Sequence, residues 1–296
     1  LTGGPSGEVI TAADCGAVAD AIAATELRTP PAFCAFPTLL NPGNAAACHP
    51  IMTSGVKQGI TAFTFESDPT SAWSATHSTI SSAFTPRDWT WVNSLPSGKA
   101  GSGFFAPSPN TGTCGVNGEN GVLHLTSPEI VLPATTDFAR ATFEQWFATE
   151  PGWDGGNLEV SVNGGAWQLV PPSQFTFNNY TFLLFTAAQG NTNPLAGQPS
   201  WTGVNPGTVN GGSWGRTHVN LGNFAQAGDT VRLRWNYGTD GCAGRVGWYL
   251  DNVDLFSCTP LVPAVSVGDV PATVFEGEAE LAVVIGKRAS HVKAAD

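Results

Sequence analysis

Along residues 229–238, DTVRLRWNYG, apolar and polar side chains alternate: Val231, Leu233 and Trp235 fall on one face, Arg232 and Arg234 on the other. A period of two marks a half-buried strand. Comparable runs recur at GITAFTFESD (59–68), AGSGFFAP (100–107) and GVLHLTSPEIVLP (121–133). Others are FARATFEQWFAT (138–149), GNLEVSVNGGAWQLV (156–170) and RVGWYLDNVDLFS (245–257). VNGG within the fifth of these six predicts a hairpin, because Asn and Gly accept the positive φ of a tight turn. Strands joined by frequent turns, with no helices between them, predict an all-β antiparallel sandwich over 59–258. The stretch 171–215, rich in Gly, Pro and Asn, reads as a long decorated loop.

The ends of the chain differ. TAADCGAVADAIAATE (11–26) predicts a helix, with Thr11 as N-cap and Cys15, Val18 and Ile22 at helical spacing, stopped by Pro30 and Pro31. Residues 1–58 thus read as a short helical segment plus an aperiodic linker. After Cys258 a Pro-rich hinge introduces two β-like runs and a basic tail, so 259–296 reads as a partial β appendage, too short for a core of its own.

Charged residues make up only 12% of the chain, and 23 Asp+Glu outnumber 12 Lys+Arg. With no basic stripe, nucleic acid is excluded as a partner. No run of 18 apolar residues predicts a membrane span. The opening LTGGPSG has neither Met nor a signal-like pattern, and is read as an internal piece of an exported precursor. Six cysteines without CxxC or Cys/His metal spacing point to disulfides in an oxidising, extracellular compartment. Of the 15 possible pairings, the expected set is Cys242–Cys258, tying the last two long elements together, Cys15–Cys34, and by remainder Cys48–Cys114.

Three blocks carry a resemblance: EPGWDGGNLEVSVNGGAWQLV, SWGRTHVNLGNFAQAGDTVRLRWNYGTDGC and GWYLDNVDLFSC. Together they resemble the MAM-like or carbohydrate-binding-module-like jelly rolls attached to secreted bacterial peptidases, over about residues 59–258. DCGAVADAIAATELRTPPAFC resembles the terminal helix of fungalysin-type, thermolysin-like zinc metallopeptidases, and VSVGDVPATVFEGEAELAVVI the opening strands of a Calx-β-like module. The resemblance implies a non-catalytic accessory domain of a secreted hydrolase, with the catalytic domain upstream in the same precursor and a polysaccharide or protein substrate as partner. A free-standing carbohydrate-binding module and a structural adhesion domain are the alternatives.

The chain itself carries no convincing catalytic motif. Its five histidines, in CHPIM, THSTI, LHLTS, THVNL and SHVKA, lack HExxH spacing, so no zinc is expected here. GGSWG (211–215) matches a nucleophile-elbow string around Ser213, but without the strand before and helix after that the chemistry requires it reads as a glycine loop. Glu144, Glu150, Asp154 and Glu159 are acidic without a pairing pattern that would make them glycosidase carboxylates. Among ten tryptophans, Trp146, Trp167 and Trp248 fall on strands and read as core. Trp201 and Trp214, in glycine-rich surroundings, are the candidate ligand-binding platforms.

Asp251 and Asp254 stand inside an otherwise apolar strand. On a strand, residues three apart point to opposite faces, so one of the two is expected to be solvated and the other to face inward, and they cannot be a shared catalytic pair. The jelly rolls this chain resembles place a structural calcium where the first strand meets the last. That likeness assigns Glu66, Asp68 and Asp251 as Ca²⁺ ligands, with Asp254 as a fourth hampered by its opposite face.

Overall fold

The computed structural model describes Cys48 and residues 55–260, apart from 112, 115–117, 137 and 205–210. The chain divides into two units, Leu1–Thr259 and Pro260–Asp296; the sandwich belongs to the first. The helix expected at 11–26, the Cys15–Cys34 pair and the appendage beyond residue 260 lie outside the described residues.

The strands are β1 (Gly55–Phe63), β2 (Ser74–Thr79), β3 (Thr90–Val92), β4 (Gly103–Pro107) and β5 (Gly121–Thr126). Then come β6 (Ile130–Val131), β7 (Ala139–Ala148), β8 (Gly155–Val162), β9 (Gln168–Leu169) and β10 (Phe175–Phe177). Last are β11 (Phe182–Leu183), β12 (Pro199–Ser200), β13 (Gly215–Asn220), β14 (Thr230–Thr239) and β15 (Gly247–Pro260). One sheet, here the front sheet, runs β10-β13-β7-β15-β4-β3 with β1 also on β15. The back sheet runs β2-β5-β14-β8-β9 with β6 also on β14, and β11-β12 form a separate ribbon. The long strands pair antiparallel. Successive long strands alternate between the sheets (β4 front, β5 back, β7 front, β8 back, β13 front, β14 back, β15 front), so the connections cross the ends of the sandwich. This is the expected all-β jelly-roll sandwich.

The alternation read from the sequence places β14 directly. Val231, Leu233, Trp235 and Tyr237 are fully buried between the sheets, while Arg232 and Arg234 face out. The core they enter is largely aromatic. Trp235 packs at 5.8 Å on Trp73 and 5.4 Å on Phe143, and Trp201 lies 5.6 Å from both Phe143 and Trp248. Such ring pairs add roughly 0.5–1.5 kcal/mol each beyond their area. Gly156 on β8 makes the packing possible: a Cβ there would meet the Trp248 ring at 2.1 Å. The VNGG turn closes the β8–β9 hairpin with Asn163 at φ 52 and Gly164 at φ 69, the mirror-image geometry that suits a twisted hairpin.

β15 departs from the expected pattern. Asp251 pairs with Glu144 but Asp254 pairs with Thr142, so β15 carries one residue more than its partner at this point. Asn252, at φ 48, is the bulge. Leu250, Val253 and Leu255 therefore all reach the core, and Asp251 and Asp254 both point outward, not to opposite faces. Each meets a lysine: Lys99 Nζ lies 3.0 Å from Asp251, and Lys57 is ion-paired with Asp254.

The disulfides also differ from expectation. Cys48 bonds Cys258, and Cys114 bonds Cys242. Cys242 and Cys258 cannot meet because most of the chain between them is one extended strand, which rises about 3.3 Å per residue. Cys242 stands at the turn before β15 and Cys258 near its far end. Cys48, Phe256 and Cys258 form a small buried cluster of their own.

Candidate functional site

The outer face of the front sheet carries a depression of about 250 Å³ lined by Ser97, Gly98, Lys99, Glu144, Trp214, Gly215 and Arg216. Three elements build it. The β3–β4 turn supplies Ser97 and Gly98, both at positive φ (56 and 74), which bend the chain so that Lys99 turns over the sheet. β7 supplies Glu144, an outward residue between core-facing Phe143 and buried Gln145. The segment 211–214 leads into β13 and supplies Trp214. Gly212 lets that segment lie on Trp146, since a Cβ would meet the indole at 2.4 Å. The string GGSWG is thus a packing loop that aims Trp214, not a nucleophile elbow.

The turn and the loop are cross-tied. Trp214 Nε1 donates to the Pro96 carbonyl at 2.9 Å, and Trp146 Nε1 to Ser97 Oγ at 3.0 Å. Lys99 Nζ stands 4.9 Å from the Trp214 ring centre. Phe105 and Tyr249 stack at 4.3 Å next to Trp146, continuing an aromatic surface away from the depression.

Charge is arranged around Glu144. Lys99 is ion-paired with it, Arg216 Nη2 lies 2.5 Å from Oε1, and Asn252 Nδ2 donates to Oε2 at 3.0 Å. Burial pushes the Glu144 carboxyl up, but Lys99, Arg216 and Asn252 outweigh it and hold the group at about 2. Asp251, 1% exposed, is shifted upward by burial despite Lys99. Lys99 loses charge preference to burial and regains more from Glu144 and Asp251, ending raised. Two cations and two carboxylates balance, so the depression offers closely spaced donors and acceptors with no net charge.

On the same face, His218 pairs across β10 with Phe177 and is 4% exposed. Burial, then Arg216, Arg140 and Lys57, push its imidazole down to about 4. A folded value below the unfolded value of about 6.5 means that the unfolded chain takes up the proton first. Stability is therefore expected to fall as pH drops from about 6.5 towards about 4, by up to about 3 kcal/mol from this group. Melting curves over that window should be flatter for His218→Gln; parallel curves for both proteins would remove His218 from this role.

Of the tryptophans expected to bind ligand, the structure places only Trp214 at the depression. Trp201 is 1% exposed and sits among Phe143, Phe175, Tyr180 and Trp248, so no ligand can stack on it. Its glycine-rich setting reflects close packing: Gly156 exchanges backbone hydrogen bonds with Trp201 at 3.0 and 2.8 Å. Trp167, expected in the core, is half-buried on the back sheet with the Arg234 guanidinium 4.2 Å from its ring centre. That back face is a chain of polar contacts across strands: Ser78 Oγ to His124 Nε2 (2.9 Å), His124 Nδ1 to Asn236 Oδ1 (2.7 Å), Asn236 Nδ2 to Asn157 Oδ1 (3.2 Å). Its groups largely satisfy one another.

The residues expected to hold calcium are not gathered into one cluster. Asp251 and Asp254 use lysines as counter-ions. Asp68 is exposed and accepts from the Thr70 amide at 2.9 Å, and Glu66 is an exposed side chain lying over Gly101. Among the described residues, a group of three acids does come within reach of one another: Glu150, Asp154 and Asp240.

The sequence matches no protein-family model and no curated protein. Several solved structures are similar to it in part. The K1 cleaved adhesin domain of Lys-gingipain from Porphyromonas gingivalis W83 is 16% identical, over 66% of this chain and 96% of that one, at a TM-score of 0.36. A carbohydrate-binding module of the β-sandwich superfamily is 10% identical over 68% and 63% of the two chains, at 0.34. A module specific for non-crystalline cellulose is 10% identical over 69% and 98%, at 0.31.

Proposed function

We propose that this chain is a non-catalytic, extracellular binding domain that takes a neutral sugar residue of a polysaccharide at the Trp214 depression. The observation that carries this reading is the site itself. An indole borders a concave surface in which Lys99, Glu144 and Arg216 present charged hydrogen-bonding groups that sum, with Asp251, to no net charge. Sugar hydroxyls both donate and accept, and a pyranose ring has an apolar face suited to an aromatic edge or plane. A phosphate or an ammonium ligand would meet as much repulsion as attraction there.

The finer reading follows the sequence resemblance: the domain serves a secreted zinc metallopeptidase whose catalytic part lies upstream, and holds it near its substrate. The two disulfides support export to an oxidising compartment.

Titration calorimetry of the protein against soluble neutral glycans (xylan, mannan, mixed-linkage glucan, galactan) tests the binding. At least one is expected to bind, and Trp214→Ala to weaken it by about tenfold or more, as loss of an aromatic hot spot does, with little change in melting temperature. Equal binding by Trp214→Ala, or none to any glycan by the native protein, would overturn the assignment.

A further inference from the structure

The two turns that cross from sheet to sheet at one end of the sandwich, β7 to β8 and β14 to β15, lie side by side, as Gly155 pairs with Gly238 and Gly247 with Ala148. Each brings acids to the same point. Glu150 follows β7, Asp154 immediately precedes β8, and Asp240 immediately follows β14. One carboxylate oxygen from each lies within 4.8 Å of the others. Oxygens no farther apart than that lie within about 2.8 Å of a common centre, so a slight inward turn of the side chains brings all three to the roughly 2.3–2.6 Å of Ca–O bonds.

The backbone around them is fixed from outside the cluster. Thr202 Oγ1 and Thr149 Oγ1 both donate to the Asp154 carbonyl, and Asn193 Nδ2 holds the Trp153 carbonyl at 2.8 Å. Asn120 Nδ2 and Thr192 Oγ1 hold the Asp240 carbonyl at 2.6 and 3.1 Å. Gly241, at φ +87, passes so close to Glu119 that a Cβ would meet its amide nitrogen at 2.0 Å. The Cys114–Cys242 bridge clamps the next residue.

The carboxylates themselves are under-compensated. Asp154 is 1% and Asp240 8% exposed. Asp154 accepts from the Asp240 amide at 2.9 Å and Ser108 Oγ at 3.2 Å, and Asp240 from the Cys242 amide at 3.1 Å. Arg245 offsets part of the charge on Glu150.

A second observation is independent of the acids. Tyr237 is fully buried, and its hydroxyl makes no hydrogen bond of acceptable geometry. It lies against Ser108, the residue that donates to Asp154, and within the field of Asp154 and Asp240. A buried phenol held only by an ill-aligned contact with Ser108 is costly, and a water carried by a bound ion would supply a well-placed partner.

We propose that Glu150, Asp154 and Asp240 hold a hard divalent cation of the calcium type, which ties the two crossover turns together. An all-oxygen donor set with no His or Cys suits calcium rather than zinc. These are not the residues the sequence likeness selects, and the site is separate from the Trp214 depression, so neither reading depends on the other.

Calcium titration of chelator-treated protein, by calorimetry and by melting temperature, tests this. Calcium is expected to bind and to raise the melting temperature by binding the folded state, with magnesium at the same concentration doing less. Glu150→Gln and Asp240→Asn should each weaken calcium binding by about tenfold or more, since ligand charge sets affinity in such sites. Glu150 is half-buried, so Glu150→Gln reports even if the Asp240 variant misfolds. Asp251→Asn should leave the response intact. No calcium response in the native protein, an unaltered response in Glu150→Gln, or a response abolished only by Asp251→Asn would each overturn the proposal.

Discussion

Severing the Cys48–Cys258 and Cys114–Cys242 bridges is expected to cost this domain several kcal/mol of stability. The bridges span sequence separations of 210 and 128 residues. In the chain-entropy model, loops of that size each restrict the unfolded chain by about 5 kcal/mol, an upper figure because measured gains are often smaller. Their access differs: Cys114 is exposed, whereas Cys48 and Cys258 are 3% and 0% exposed. Mild reductant should therefore open Cys114–Cys242 in the folded protein and reach Cys48–Cys258 only on unfolding. Denaturant titrations of native and Cys48→Ser/Cys258→Ser protein, with and without reductant, measure both contributions. A midpoint unmoved by full reduction, or a non-reduced peptide map joining Cys242 to Cys258, would contradict this arrangement.

Replacing Trp201 by Ala should lower stability by about 3–5 kcal/mol, the usual cost of emptying a large aromatic site in a core. The indole touches Tyr180 at 4.5 Å and Phe175 at 5.3 Å between ring centres, and its Nε1 donates to the Asn178 and Asn179 carbonyls at 3.1 and 3.0 Å. Truncation leaves a cavity and removes the donor those carbonyls share. Trp214→Ala, by contrast, should cost little stability, because that ring lies at the surface of the depression. Urea unfolding of the two variants side by side separates core from site. Equal midpoints would mean that Trp201 does not hold the sheets together.

The sandwich was legible because its long strands obey simple periodicity. Val231, Leu233 and Trp235 announce β14, and VNGG announces its neighbouring hairpin. What single-strand periodicity does not encode is a change of phase, and so it sends Asp251 and Asp254 to opposite faces where the bulge at Asn252 puts both on one. Disulfide partners are a property of three-dimensional neighbourhood: Cys242 and Cys258 are close in sequence but separated by an extended strand. Trp201 misled through its company, since small residues flank a tryptophan both on flexible surfaces and where backbones pack tightly against a ring. The acids at 150, 154 and 240 were invisible as a group because 86 residues separate Asp154 from Asp240. Their one local sign is an Asp before Gly at a strand end, in WDGG and TDG. There Gly155 and Gly156 yield space to Trp201 and Trp248, a packing need that also fixes the aspartate before them.

The extra residue in β15 divides one ribbon of chain into two segments of opposite parity. Even-numbered Trp248 and Leu250 look inward before it, odd-numbered Val253 and Leu255 after it. Without that offset Phe256 and Cys258 would turn into the core, and Cys258 would face away from Cys48. Each segment is pinned separately, the first through Asp251 to Lys99 and the second through Asp254 to Lys57 and Cys258 to Cys48. A strand of this length in a twisted sheet gains local twist at such a point. Asn252 thus behaves as a joint that lets the half of the strand beside the Trp214 depression and the disulfide-anchored half each keep their own alignment, while its side chain steadies Glu144 on one side of the joint.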